Sequence, residues 1–148
     1  MKILITGGAG YIGSKLIEKL MDQELSITCL DNLMFDQKNL TSMNSDKINF
    51  VKGDVRDQTL MKDLYKKSDI IIPLAAIVGA PLSAKMPKET EEINFGSIDF
   101  MCKNLSKDQK VIMPVTNSGY GIGKKDEMCD ENSPLNPNVP VINTIKKG

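Results

Sequence analysis

The stretch Lys2-Ile3-Leu4-Ile5-Thr6-Gly7-Gly8-Ala9-Gly10-Tyr11-Ile12-Gly13-Ser14 decides how the rest of the chain is read. Residues 2–6 are short, apolar and bounded by glycine, which predicts a buried strand. Residues 11–22 carry Ile12, Leu16, Ile17, Leu20 and Met21 at helical spacing, which predicts an amphipathic helix directly after the turn. Between them, Gly7, Gly10 and Gly13 form a GxxGxxG pattern. The first glycine permits a tight turn out of the strand. The second lets backbone approach a phosphate, and the third lets the helix pack close to the sheet. The helix then aims unpaired N–H groups and its positive end at an anion. Gly7, Gly10, Tyr11, Ile12 and Gly13 are the candidate phosphate contacts. An ordinary glycine turn is the competing reading. The strand before it, the helix after it and an acidic residue further on favour the phosphate loop.

That acidic residue is Asp31. Residues 26–30 predict a second strand, and it runs into Leu30-Asp31-Asn32-Leu33. Asp31 lies 24 residues after Gly7, where a carboxylate can accept from both ribose hydroxyls of a dinucleotide. The same charge repels the extra phosphate of NADP, and no arginine adjoins it. NAD is therefore the expected cofactor, with Asp31 and Asn32 on its ribose side. The competing reading is that Asp31 caps a turn.

Further along, residues 48–51, 69–74 and 110–115 predict three more strands, and residues 57–67 and 88–105 predict helices. Leu60, Met61, Leu64 and Tyr65 form the buried side of the first of these helices. Residues 32–47 read as polar and irregular. From about residue 117 glycine, proline, asparagine and charge dominate, and the chain reads as loop. Strand and helix alternate, which predicts an α/β fold with right-handed crossovers: a doubly wound parallel sheet of the Rossmann type.

The 148 residues suit one domain. Apolar residues make up 41% and charged residues 26%, ordinary for a globular chain. Lysine plus arginine and aspartate plus glutamate both number 19, so no strong field points to nucleic acid or an anionic membrane. The three cysteines lack CxxC spacing, which argues against a disulfide framework or a metal site and for a cytoplasmic location. With no histidine, proton transfer falls to tyrosine, lysine, carboxylate or hydroxyl.

The TGGAGYIGS loop, the Leu30-Asp31-Asn32-Leu33 strand end and Lys52-Gly53-Asp54-Val55-Arg56-Asp57 together resemble the extended short-chain dehydrogenase/reductases. Within that family the pattern is most similar to the NAD-dependent nucleotide-sugar epimerases and dehydratases, with UDP-glucose 4-epimerase as type. The resemblance runs from residue 1 to about residue 137. It implies that Asp54 bonds the adenine amino group and that the Val55 backbone meets the ring. It implies that Leu74-Ala75-Ala76 line the cofactor and that Asn94 braces the active site. It implies that the Thr116 hydroxyl, with Ser118 as backup, bonds the reacting oxygen of a nucleotide-linked sugar. NAD would then take hydride from a ring carbon and return it. Competing readings make Asp54 a turn residue, Asn94 a surface amide and Thr116 a strand-end cap.

The sequence departs from the family where its catalytic tyrosine and lysine belong, four residues apart on a helix. The expected positions are about Val141 and Ile145, and neither side chain can transfer a proton. Tyr120 and Lys124 have the spacing, but Gly121 and Gly123 work against the helix that would bring them together. Residues 1–137 are thus expected to form an NAD-binding domain, incomplete at its C-terminus, with residues 138–148 an irregular tail. Relatives often dimerise, so a homodimer is expected of a full-length protein. Two rival functions stay open: a non-catalytic dinucleotide-binding module, and a flavin- or nucleotide-binding domain with the same loop.

Overall fold

The computed structural model describes residues 1–36, 46–116, 120, 128–130 and 132–134. Five parallel strands, β1 (Lys2–Thr6), β2 (Ser26–Asp31), β3 (Ile48–Lys52), β4 (Ile70–Pro73) and β5 (Lys110–Val111), form one sheet in the order β3-β2-β1-β4-β5. This is the expected doubly wound α/β arrangement. The strand order reverses between β1 and β4, so a crevice opens beyond their C-terminal ends.

Alternation along each strand sends side chains to opposite faces. From β1, Ile3 and Ile5 join Ile17 of α1 (Tyr11–Leu20), along with Ile27, Cys29 and Ile72. Leu4 points the other way, into a cluster with Met61, Leu64 and Tyr65 of α2 (Gln58–Lys66) and with Ile71 and Met101. Leu4, Ile5, Ile17, Ile27 and Ile71 are fully buried. Each such side chain contributes about 1.5–3 kcal/mol by leaving water. A sheet covered on both faces explains the unbroken apolar run of β4. Asp57 starts α2 by accepting from Thr59 N at 3.1 Å and Leu60 N at 3.0 Å.

Four expectations need correction. Ile12 is 63% exposed and leaves the predicted apolar stripe. Gly13 and Ser14 take the buried face of that turn, and at about 100° per residue Ile12 is rotated off it. The single helix expected over residues 88–105 is three segments: α4 (Pro87–Glu91), a π-helical turn (Glu92–Gly96) and α5 (Ser97–Asn104). Between β4 and α4 lies a short helix not expected from the sequence, α3 (Ala80–Lys85), entered through Gly79 at φ 91°. The fifth strand is two residues long rather than six. Ile112 N still bonds Ile71 O at 3.0 Å, but Pro114 has no N–H to continue a ladder.

Candidate cofactor cleft

The cleft is assembled by backbone bonds that continue the sheet past its strands. Gly7 N donates to Leu30 O at 2.8 Å, Gly53 N to Asp31 O at 3.0 Å and Leu74 N to Thr6 O at 2.9 Å. Four strand ends are thereby held side by side. The space between them is a shallow cleft open to solvent, lined by strand ends and the loops that follow them.

Gly7 adopts φ +69°, and a Cβ there would stand 2.6 Å from Ala75 N. Only glycine permits both the turn and the close approach of β1 to the end of β4. A Cβ on Gly13 would lie 2.6 Å from Gly7 O, so α1 rests directly on the turn. Gly8 was not singled out by the sequence pattern, yet a Cβ there would run into Cys29 Sγ. The doubled glycine Gly7-Gly8 is the signal that could have marked it. Gly10 caps α1 without a side-chain bond, and no acidic residue stands in the first turn. Helix N-terminal N–H groups have no partner within the helix, and the first turn of α1 holds no acidic side chain.

Asp31 ties the loops together. Its Oδ2 accepts from Ala9 N at 3.0 Å and its Oδ1 from Leu33 N at 2.8 Å. It caps a turn and lines the cleft at once. Leu33 takes φ +58° under that bond. Cys29, packed beneath Gly8, has its thiol pushed up to about 12 by burial and by the Asp31 charge.

Of the sequence candidates, Gly7, Gly10, Asp31, Asn32, Val55, Leu74, Ala75 and Ala76 line the cleft. Tyr11 and Ile12 stand exposed at the start of α1 and Gly13 is buried behind the turn. Asp54 is held by neighbours. Its carboxylate accepts from Arg56 N and Nε, both at 2.9 Å, from Arg56 Nη2 at 2.8 Å and from Asn32 Nδ2 at 3.1 Å. The Arg56 guanidinium holds the Asp54 carboxyl well below the usual carboxylate range. Asn94 sits in the π-helical turn. Its Oδ1 accepts from Ile77 N at 2.8 Å and its Nδ2 donates to Ile77 O at 2.9 Å. Asn94 is half-buried and both ends of its amide are occupied by the Ile77 peptide. Ile77 in turn lines the cleft.

Thr116 is exposed beyond the end of β5 and is not a cleft-lining residue. Ser118, Lys124, Val141 and Ile145 lie outside the described residues, as does the tail from 138 to 148. Sequence reasoning missed Met34 and Phe35 as lining residues. Two large apolar side chains in an otherwise polar segment were the available signal.

A glycine-turn crevice at the strand-order reversal, with an acidic residue closing β2, defines a nucleotide-binding α/β unit. The chain matches the profile of the NAD dependent epimerase/dehydratase family over residues 3–140, and it belongs to that family. It is 33% identical over 141 residues to a putative UDP-glucose 4-epimerase of Methanocaldococcus jannaschii, covering 93% of this chain and 45% of the relative. It is 32% identical over 148 residues to the dTDP-D-glucose 4,6-dehydratase of Homo sapiens, covering 94% of this chain and 42% of the relative. Among solved structures, the UDP-glucuronic acid 4-epimerase of Bacillus cereus, in complex with UDP-glucuronic acid and NAD, aligns with a TM-score of 0.85 at 25% identity. That alignment covers 97% of this chain and 48% of the epimerase. The chain thus spans a little under half the length of these relatives. No helix among the described residues is long and apolar enough to cross a membrane.

Proposed function

We propose that residues 1–137 bind NAD and form the cofactor-binding part of a nucleotide-sugar epimerase or dehydratase. The observation that carries this reading is the junction of Asp31 with the glycine turn. The carboxylate that would receive the ribose hydroxyls is bonded to Ala9 N inside the loop that would receive the phosphates. The residues present fit the cofactor: a Cβ would fill the cradle at Gly7, and the first turn of α1 holds no acidic residue. When bound, NAD supplies the hydride acceptor. The chain's own residues would orient it. Gly7, Gly10 and the first turn of α1, from Tyr11 to Gly13, meet the phosphates. Asp31 and Asn32 meet the adenosine ribose, Asp54 and Val55 the adenine, and Leu74-Ala75-Ala76 the dinucleotide along β4. Asn94 holds the Ile77 peptide at the wall.

The names of the relatives support a nucleotide-linked sugar as the substrate class. Thr116 is the residue we assign to the reacting oxygen, because a hydroxyl can donate to a ketone and accept from an alcohol. A cytoplasmic location and a homodimer of a full-length protein belong to the same proposal. The lack of CxxC spacing among Cys29, Cys102 and Cys129 supports the former. A second reading, a dinucleotide-binding module without catalysis, is favoured by Val141 and Ile145 where the family's tyrosine and lysine are expected.

The test is calorimetric titration with NAD and NADP, followed by addition of UDP-sugars while recording reduced-nicotinamide absorbance. Saturable NAD binding with an absorbance rise supports the enzyme. Binding without the rise supports the module, and no binding removes both.

A further inference from the structure

The four bonds that Asp54 accepts fill the roughly four lone-pair sites of a carboxylate. Three of them come from Arg56. The remaining guanidinium nitrogen, Arg56 Nη1, donates to Glu92 Oε2 at 3.1 Å. Lys88 Nζ stands 3.8 Å from the other oxygen of Glu92. Glu92 opens the π-helical turn that carries Asn94, and Asn94 grips Ile77. A continuous chain of contacts therefore runs from Asn32, at one wall of the cleft, through Asp54, Arg56 and Glu92, to Ile77 at the other.

We infer that Arg56 is a positioning residue for this cleft: clamped by Glu92, it fixes Asp54 so that the Asn32 amide is the one partner on Asp54 that an amino group of a bound ligand can replace. The inference rests on the proposed NAD reading. Three bonds from Arg56 are held by one side chain and its own backbone, and the two from the guanidinium are charge-assisted, the strong kind. The Asn32 bond is single, comes from a neutral donor and, at 3.1 Å, is the longest of the four. An exocyclic amino group offers the same donor chemistry and can take its place. Arg56 also lowers the Asp54 carboxyl further below the usual range, and Asp54 meets the ligand as an acceptor.

The experiment compares NAD with nicotinamide hypoxanthine dinucleotide, which lacks the adenine amino group, on the full chain and its R56Q, R56K and E92Q variants. Dissociation constants come from calorimetry, and the Asp54 carboxyl is titrated by carbon NMR without ligand. R56Q is expected to weaken NAD about tenfold, to weaken the hypoxanthine analogue less, and to raise the Asp54 titration toward the ordinary range. E92Q should show the same pattern more weakly, and R56K should recover part of it. If R56Q does not fold, R56K and E92Q carry the comparison. Equal weakening of both dinucleotides, or no weakening, overturns the inference. Should the unaltered chain bind neither dinucleotide, the inference fails as well. In that event an Asp54 titration that still responds to R56Q would show that the clamp stands and the cofactor reading is at fault.

Discussion

Asn94 holds the peptide of Ile77 with both ends of its amide, accepting from the N–H at 2.8 Å and donating to the carbonyl at 2.9 Å. One side chain thus does for Ile77 what a neighbouring strand would do. The residue it holds is 1% exposed, so water cannot take over either bond. Asn94→Leu is expected to lower the unfolding free energy by about 2–4 kcal/mol, the cost of two lost bonds with the peptide groups left buried. Asn94→Asp keeps the acceptor but turns a second carboxylate oxygen toward the Ile77 carbonyl, so it should recover little of the loss. Urea unfolding of the three proteins checks this. Equal stability would mean that the Ile77 peptide finds another partner.

Gly7→Ala should remove dinucleotide binding while a folded sheet remains. The new Cβ would meet the Ala75 backbone at 2.6 Å and would sit on a residue at φ +69°, so β1 and β4 must separate at the floor of the cleft. Circular dichroism with NAD titration reads both parts. Retained affinity would show that the turn relaxes without opening the cleft.

Asp31→Ala is expected to narrow the preference for NAD over NADP, because the charge that repels the extra phosphate is gone. Stability should fall by about 1–2 kcal/mol, since Ala9 N and Leu33 N lose their acceptor. Unchanged cofactor selectivity would remove Asp31 from the ribose site.

Alkylation should distinguish the cysteines. Cys102 is exposed and Cys29 is buried, and the thiolate is the reactive form. With its thiol raised to about 12, Cys29 should remain unmodified at pH 8 in the folded protein while Cys102 reacts. Peptide mass spectrometry after brief iodoacetamide treatment measures this. The same shift sets an alkaline limit. Unfolded Cys29 ionises near ~8.5, so between there and about 12 the unfolded chain has lost a proton that the folded one keeps. Stability contributed by the neutral thiol is complete below that window and declines as pH rises through it.

Beyond β5, Ile112 is 56% and Val115 62% exposed, beside the edge of the sheet. Such an edge promotes association. The isolated chain should self-associate with rising concentration, and Ile112→Lys with Val115→Lys should reduce this. A monomeric light-scattering signal across the concentration range would contradict the expectation.

The first four strands, the glycine turn and the cofactor class were legible because they depend on local rules. A run of β-branched residues, a glycine at a forced turn and a helical stripe each leave a pattern within a dozen residues. The position of Asp31 at the end of β2, beside the cleft, was legible for a similar reason, since one strand and one helix set its distance from Gly7. Ile12 was misjudged because small residues, Gly13 and Ser14, take the buried face, and an apolar stripe does not register them.

What only the tertiary structure decided are the relationships between distant segments. That Gly8 must lack a side chain follows from Cys29 beneath it, one strand away. That Asn94 braces Ile77 depends on a π-helical turn, whose signal in sequence is indistinguishable from an ordinary helix. That Arg56 occupies three of the bonds on Asp54, and joins it to Glu92, depends on folding a loop after β3 against a helix after β4. Sequence by itself determined the strands, the turn and the cofactor class, because those follow from steric rules acting within one βαβ unit. The tertiary structure decided which polar groups face one another in the cleft, because hydrogen bonds between segments are set by where packing places them.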